Sequence, residues 1–318
     1  MDCVFKKKER IYMSYQENRP YVVSADSRGL MKSWARKNKL TLPSDAYFQG
    51  MLKELETTLG GYFAQVDIVP EEFLRKGLNE LVKNSSVPVV SLDRAYISPK
   101  QRNLIGFLDA TRTVDSNLKN TGLGSRALEI TLESQIAQLA TRYRGKAIAL
   151  VDDVIFEGRT MLQLVQTLRS KGVAVDAIYS AITIKEGKEL LEQNGVRVES
   201  LIVYDQVIDE ICERDFVVGS PYSGRSVVNG KGVVEGAPYL YPFGKPVEWA
   251  SIPSEEAVNF SLFALYQSLQ MWAEIERLSD KRIPTKQVAK PVFGLPQGES
   301  MSGAIADVMR GLEEGRGA

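Results

Sequence analysis

The sequence predicts an α/β protein whose core is a parallel sheet covered by helices on both faces. Three observations carry that expectation. Between Ala147 and Tyr204, apolar runs of strand length alternate with helical patterns at regular spacing, the signature of successive strand-helix units. At 44% hydrophobic and 25% charged residues the chain has an ordinary globular composition, and 318 residues suffice for one large or two modest domains. No internal repeat or low-complexity block offers another organising principle.

Taken in order, the first strand is Tyr21 to Ala25 (YVVSA), followed by the turn Asp26-Ser27-Arg28-Gly29 and a helix from Leu30 to about Lys39. A second strand, Tyr62 to Val69, is ended by Pro70. Glu71 to Lys83 then places Phe73, Leu74, Leu78 and Leu81 at helical spacing. Val87 to Ser91 is a third strand. Tyr96 to Ala127 is rich in Asn, Gly, Ser and Thr and reads as a long irregular segment, a length that is usually functional in a compact domain. The regular series follows: helix Leu128 to Tyr143, strand Ala147 to Val151, helix Thr160 to Lys171, strand within Val173 to Ile184, helix Glu186 to Asn194 and strand Val196 to Tyr204. Ligands of such sheets bind at the carboxyl ends of the strands. Past Asp205 the pattern changes. Phe216 to Trp249 holds many Gly, Pro and aromatic residues, Ser254 to Ser279 is a strong amphipathic helix, and a short helix near Met301 to Leu312 closes the chain. The expected division is an N-terminal extension (1–20), a core (21–219) and a C-terminal accessory region (220–318).

Composition removes much chemistry. With no histidine, imidazole-based triads, dyads and pH switches are excluded, as are His-rich zinc sites. Two cysteines, Cys3 and Cys212, cannot furnish a four-thiolate metal site. Any catalysis falls to carboxylates, Lys and Arg, hydroxyls, backbone amides or a hard metal ion held by oxygen. Forty basic and forty acidic side chains balance to zero, which gives no general electrostatic case for nucleic acid or membrane. The opening MDCVFKKKER has no signal-peptide character and no run reaches membrane-spanning length, so the expected location is a reducing cytoplasm.

The most informative stretch is Ala147 to Thr160, AIALVDDVIFEGRT. An apolar strand delivers Asp152 and Asp153 to its carboxyl end, and Gly158-Arg159-Thr160 then opens a helix. Paired carboxylates accept hydrogen bonds from vicinal sugar hydroxyls. A tight glycine turn presents amides and a positive helix end to a phosphate. A Walker B strand is a second reading of ALVDDV, but the chain contains no GxxxxGK[ST] partner. An acidic receiver-domain pocket and a solvated strand end are the remaining alternatives.

This segment resembles the phosphoribosyl-diphosphate (PRPP) signature of type I phosphoribosyltransferases: an apolar strand, two acids, two apolar residues and a small phosphate loop. The resemblance spans about Tyr21 to Gly219 and implies that family's parallel-sheet core. It implies that Asp152 and Asp153 fix the ribose hydroxyls, with an indirect role towards Mg²⁺. Phe156, Glu157, Gly158, Arg159 and Thr160 would wrap the 5′-phosphate, and Ser27, Arg28 and Gly29 would meet the diphosphate. Lys185, Phe216 and Val217 match positions that hold the base in hypoxanthine-guanine type members, implying a purine-like base. Tyr96 to Ala127, with Arg94, Lys100, Arg102 and Arg112 nearby, falls where that family carries a mobile catalytic loop. Three positions depart from the pattern. Phe156 stands where an acidic general base is expected, Glu157 brings a negative charge into a phosphate loop, and Ser223 replaces an Asp.

The expected function is therefore transfer of ribose 5-phosphate between PRPP and a purine-like base, or the reverse on a nucleotide. Asp152, Asp153, Glu157 and Arg28 are its catalytic candidates, Mg²⁺ its cofactor, and a homodimer or higher homo-oligomer its assembly. The alternative is a catalytically weak PRPP or nucleotide sensor, or a regulatory partner, on the same fold.

Overall fold

A computed structural model describes residues 19–126, 130–228 and 234–315. The expected N-terminal extension lies outside the described residues apart from Arg19 and Pro20, as does the expected helix start at Leu128. The first half of the chain forms β1 (Tyr21–Ser24), α1 (Ser27–Asn38), α2 (Asp45–Gly60), β2 (Val66–Val69), α3 (Glu71–Lys83), β3 (Val89–Ser91), β4 (Leu104–Phe107), β5 (Ala110–Val114), β6 (Asn120–Ser125) and α4 (Leu132–Tyr143). There follow β7 (Ala147–Ile155), α5 (Arg159–Ser170), β8 (Ala174–Ile184), α6 (Lys185–Gln193), β9 (Arg197–Tyr204) and β10 (Asp209–Cys212). Then come a 3₁₀ turn (Glu213–Phe216), β11 (Arg225–Val228), β12 (Val234–Ala237), α7 (Pro246–Ala250), α8 (Ala257–Leu278) and α9 (Met301–Glu313).

These elements fall into two compact units. Described residues within Met1–Val69, Gln206–Ser223 and Pro238–Ala318 form the first, and those within Pro70–Asp205 and Gly224–Ala237 form the second. The stretch 21–219 is thus shared between both units, and residues beyond 220 contribute to both.

The second unit contains the series that the sequence foretold. Its main sheet has the order β4-β3-β7-β8-β9 with every neighbouring pair parallel. Helices α4, α5 and α6 bury Ile136, Leu164, Leu168 and Leu191 in one apolar cluster with Ile148, Leu150, Ile178 and Val198 of the strands. Helix α3 packs on the other face, where its Gly77 lies directly against the side chain of Leu201. Val198 and Leu201 sit an odd number of residues apart on β9, as opposite faces of a strand demand. Helix α4 begins at Thr131, whose hydroxyl accepts the Ser134 amide at 3.1 Å. Thr131→Ala should cost about 1 kcal/mol, the usual worth of an N-cap, measurable by urea denaturation.

As far as Arg126, the last described residue of the stretch, Tyr96 to Ala127 is not an irregular loop: it supplies β4 and the antiparallel hairpin β5–β6. That hairpin joins a second sheet of order β12-β11-β5-β6, in which β11 runs parallel to β5. Thr, Asn and Gly dominate β6, whose first half is exposed, so the strand lacks the apolar alternation that would have marked it.

The first unit holds a small parallel sheet of order β10-β1-β2. Tyr21, Val22 and Val23 of β1 are fully buried, and the Tyr21 ring stacks on Phe63 at 4.3 Å. Trp272 of α8 is fully buried, packs edge-on against Trp34 and donates its indole N–H to the Val218 carbonyl at 2.7 Å. Among the described residues no helix is long and apolar enough to cross a membrane.

Candidate functional site

The carboxyl ends of β3 and β7, neighbours in the main sheet, gather three carboxylates. Strand β7 runs past Val151 through Asp152 and Asp153 to Ile155, held by β8 along that length. Asp153 is 8% exposed; its amide donates to Asp152 Oδ1 at 3.0 Å, and its own Oδ1 accepts the Val154 amide at 2.9 Å. Asp93, just beyond β3, is almost fully buried and accepts the amides of Ala95, Tyr96 and Ile97 at 2.7–2.8 Å.

Crowding sets the electrostatics of this group. Burial and then the Asp153 carboxylate push Asp152 well above the usual carboxylate range, against the pull of the Arg126 guanidinium. Burial and then Asp153 likewise raise Asp93, and its three amides oppose the rise. A carboxylate group that so disfavours its own negative charge is suited to receive hydrogen-bond donors. Asp93 and Arg126 did not figure among the sequence-predicted site residues. For Asp93 a signal existed, since it follows the apolar run VPVVSL as Asp152 follows AIALV.

Five residues after Asp153, the chain turns through Gly158 in the left-handed conformation (φ 76°) and enters α5, with no side chain capping the helix. The first amides of a helix have no intrahelical acceptor, and the helix end carries partial positive charge. The first turn of α5 contains no acidic residue. Glu157 and Arg159 are largely exposed and pair with each other at 3.3 Å. Both line a groove of about 440 Å³ between α5 and α6, together with Gln163, Glu186 and Gln193. Glu157 therefore has its charge met by Arg159 at that groove. Phe156 is 36% exposed and Thr160 is exposed on the first turn of α5.

The remaining sequence-predicted residues are placed otherwise. Strand β1 belongs to the small sheet of the first unit, so Ser27, Arg28 and Gly29 open α1 there. The Asp26 and Ser27 amides donate to Glu213 Oε2 at 3.1 and 3.2 Å, so a protein carboxylate already occupies that helix end. Arg28 pairs with Asp45 at 3.0 Å. Phe216, expected to stack on a base, is 3% exposed and packs edge-on against Phe260; Val217 is buried beside it. Lys185 opens α6 in the second unit and reaches Asp205 at 3.3 Å, both side chains exposed. The structure thus brings together Asp152, Asp153 and the loop Phe156–Thr160 at one sheet end. Arg28, Phe216 and Val217 serve the packing and ion pairs of the other unit.

No family model matches the chain. Its sequence is 27% identical over 153 residues to an orotate phosphoribosyltransferase from Listeria monocytogenes, a match covering 46% of this chain and 68% of that protein. Over 59 residues it is 39% identical to a hypoxanthine/guanine phosphoribosyltransferase from Methanohalophilus mahii, covering 19% of this chain and 31% of the relative. The solved orotate phosphoribosyltransferase from Aeropyrum pernix aligns with 42% of this chain and 69% of its own at 18% identity, with a TM-score of 0.26.

Proposed function

We propose that this chain, a relative of the phosphoribosyltransferases, moves ribose 5-phosphate between PRPP and a nucleobase at the carboxyl end of β7. The observation that carries the reading is the succession, on one strand and the turn after it, of a carboxylate pair, Asp153 buried and Asp152 partly buried, and an uncapped helix start. Asp152 and Asp153 would accept hydrogen bonds from the ribose 2′- and 3′-hydroxyls, which would offset the crowding that raises Asp152. Gly158 gives the turn that lets the amides of the first turn of α5 converge on the 5′-phosphate, with the Thr160 hydroxyl beside them. Because Glu157 and Arg159 neutralise each other, phosphate affinity rests on those amides. Arg126, whose charge acts on Asp152, would be a cation near enough to meet charge developing on the diphosphate.

Mg²⁺ fits as an ion that PRPP brings with it. Among the described residues no group of three or more acidic, His or Cys side chains is arranged to hold a metal. Asp152 and Asp153 are the protein groups that would face it. Bound there, it would offset the charge of the departing diphosphate. The protein's own part is to bind, orient and exclude water.

For the base, the purine reading leaned on Lys185, Phe216 and Val217. The burial of Phe216 against Phe260 weakens it. The longer sequence match is to an orotate enzyme, which supports a pyrimidine instead. The experiment is incubation with PRPP, Mg²⁺ and, separately, orotate, uracil, hypoxanthine, guanine and adenine, with diphosphate release followed. Release is expected with orotate or uracil. Release only with purines would restore the first assignment. Absence of release with every base, while PRPP still binds, would favour the sensor reading.

A further inference from the structure

Gly187 stands in the first turn of α6 and is buried. A Cβ built on it would lie 2.1 Å from the Phe156 carbonyl oxygen, 3.0 Å from the Gly158 amide nitrogen and 3.0 Å from Ile155 Cγ2. The contact is mutual. A Cβ on Gly158 would come within 2.7 Å of the Gly187 carbonyl oxygen and 3.1 Å of its Cα. Two backbones therefore meet with no side chain between them. At Gly158 the left-handed φ of 76° also favours glycine, whereas Gly187 is absent from the positive-φ residues, so close approach alone explains its lack of a side chain. The first two atoms it meets are main-chain atoms of the loop that presents amides at the start of α5, and they cannot swing aside as a side-chain tip could.

We propose that Gly187 is a positioning residue for phosphate recognition: the first turn of α6 sets the path of Phe156–Gly158, and with it the direction in which the α5 amides point. This rests on the reading of that loop as the 5′-phosphate seat. Closely packed backbone has few alternative arrangements, so the seat is shaped before the ligand arrives. The outer side of the same two segments is the groove where the Glu157–Arg159 pair meets Glu186. The loop is thus held from within by Gly187 and turns its charged side chains to the groove. Since the 5′-phosphate stays bound through the reaction, disturbing its seat should weaken substrate and transition state alike, raising KM with little change in kcat.

The test compares wild type, Gly187→Ala and, as a control, Gly106→Ala, whose added Cβ would meet nothing within 4 Å. Ribose 5-phosphate and PRPP binding are measured by calorimetry, and turnover with whichever base wild type accepts. Gly187→Ala is expected to weaken both ligands and raise the PRPP KM at least tenfold, with kcat within about threefold of wild type and Gly106→Ala unchanged. Wild-type affinities in a folded Gly187→Ala variant, or an equal loss in the control, would overturn the proposal. Failure of wild type itself to bind either ligand would instead defeat the phosphate-seat reading, and this inference with it. If Gly187→Ala does not fold, hydrogen exchange on wild type decides. Ribose 5-phosphate should slow exchange in the first turns of both α5 and α6, leaving that of α3 unchanged. Protection confined to α5 would refute the coupling.

Discussion

The Asp152→Asn/Asp153→Asn double variant should bind PRPP at least about 100-fold more weakly than wild type and yet unfold at a higher temperature. Hydrogen bonds to charged groups contribute about 1.5–3 kcal/mol each, so two lost carboxylate contacts to ribose hydroxyls give a loss of that order or more. Stability should move the other way. Burial and the neighbouring carboxylates raise Asp152, so its charge is resisted by the folded state and readily accepted by the unfolded one. A carboxyl raised in the folded state supports the fold most at low pH, and that support is lost as pH rises towards its folded pKa. Asparagine keeps the shape without the charge and should remove that loss. Calorimetric titration and thermal unfolding at pH 7 read the two effects. If these residues merely ended a strand in solvent, PRPP affinity would not depend on them and stability would stay level or fall. Weaker binding together with a lower melting temperature would mean that the crowding described for Asp152 is offset in the native state.

The acidic strand was legible because its meaning is local: an apolar run, two acids and a glycine turn lie within fourteen consecutive residues. The helices around it were legible for the same reason, and α3 and α9 match their expected spans to within a residue. Helix α2 went unassigned although Ser44 caps it and Phe48, Met51, Leu55 and Leu59 recur at helical spacing on its buried side. What the sequence hid were partners distant along the chain. Phe216-Val217-Val218 is an apolar run in either reading, and only the packing of Phe216 on Phe260 makes it core. Likewise the first strand and its SRG turn have the local form of a phosphate loop. Their pairing with β2 and β10, and Glu213 at the α1 amides, assign them to a separate sheet. Hydrophobicity and turn chemistry report what a segment can be, and long-range pairing decides which of those forms it takes.

The buried acid of that separate sheet leads to a prediction of opposite sign from the usual one for a salt bridge. Asp26, 1% exposed, contacts the guanidinium of Arg214, itself 7% exposed, and accepts the Arg214 amide at 3.0 Å. A carboxylate beside arginine ordinarily has a lowered pKa, and stability then falls on acidification. Here burial outweighs Arg214, and Glu213 and Asp215 add repulsion, so Asp26 is pushed up to about 8. The unfolded chain ionises this group near pH 4, while the folded chain keeps its proton until about pH 8. Stability from Asp26 is thus complete below pH 4 and is lost as pH rises towards 8, at up to about 1.4 kcal/mol per pH unit. Asp93 and Asp152 slope the same way, so wild type alone is not diagnostic. The informative quantity is the difference between Asp26→Asn and wild type, measured by urea denaturation from pH 5 to 9. Near pH 5 both carry a neutral side chain at 26 and should differ least. The variant should then gain on wild type with each pH unit, by a few kcal/mol in all, and the gain should level off above about pH 8. If the Arg214 contact governs instead, the folded pKa lies below the unfolded one and the pH dependence is confined to below about pH 4; asparagine then leaves a buried guanidinium without its counter-charge, and the variant is less stable than wild type by a constant amount from pH 5 to 9. A difference that climbs with pH means that burial controls the proton on Asp26, and a flat deficit means that pairing does.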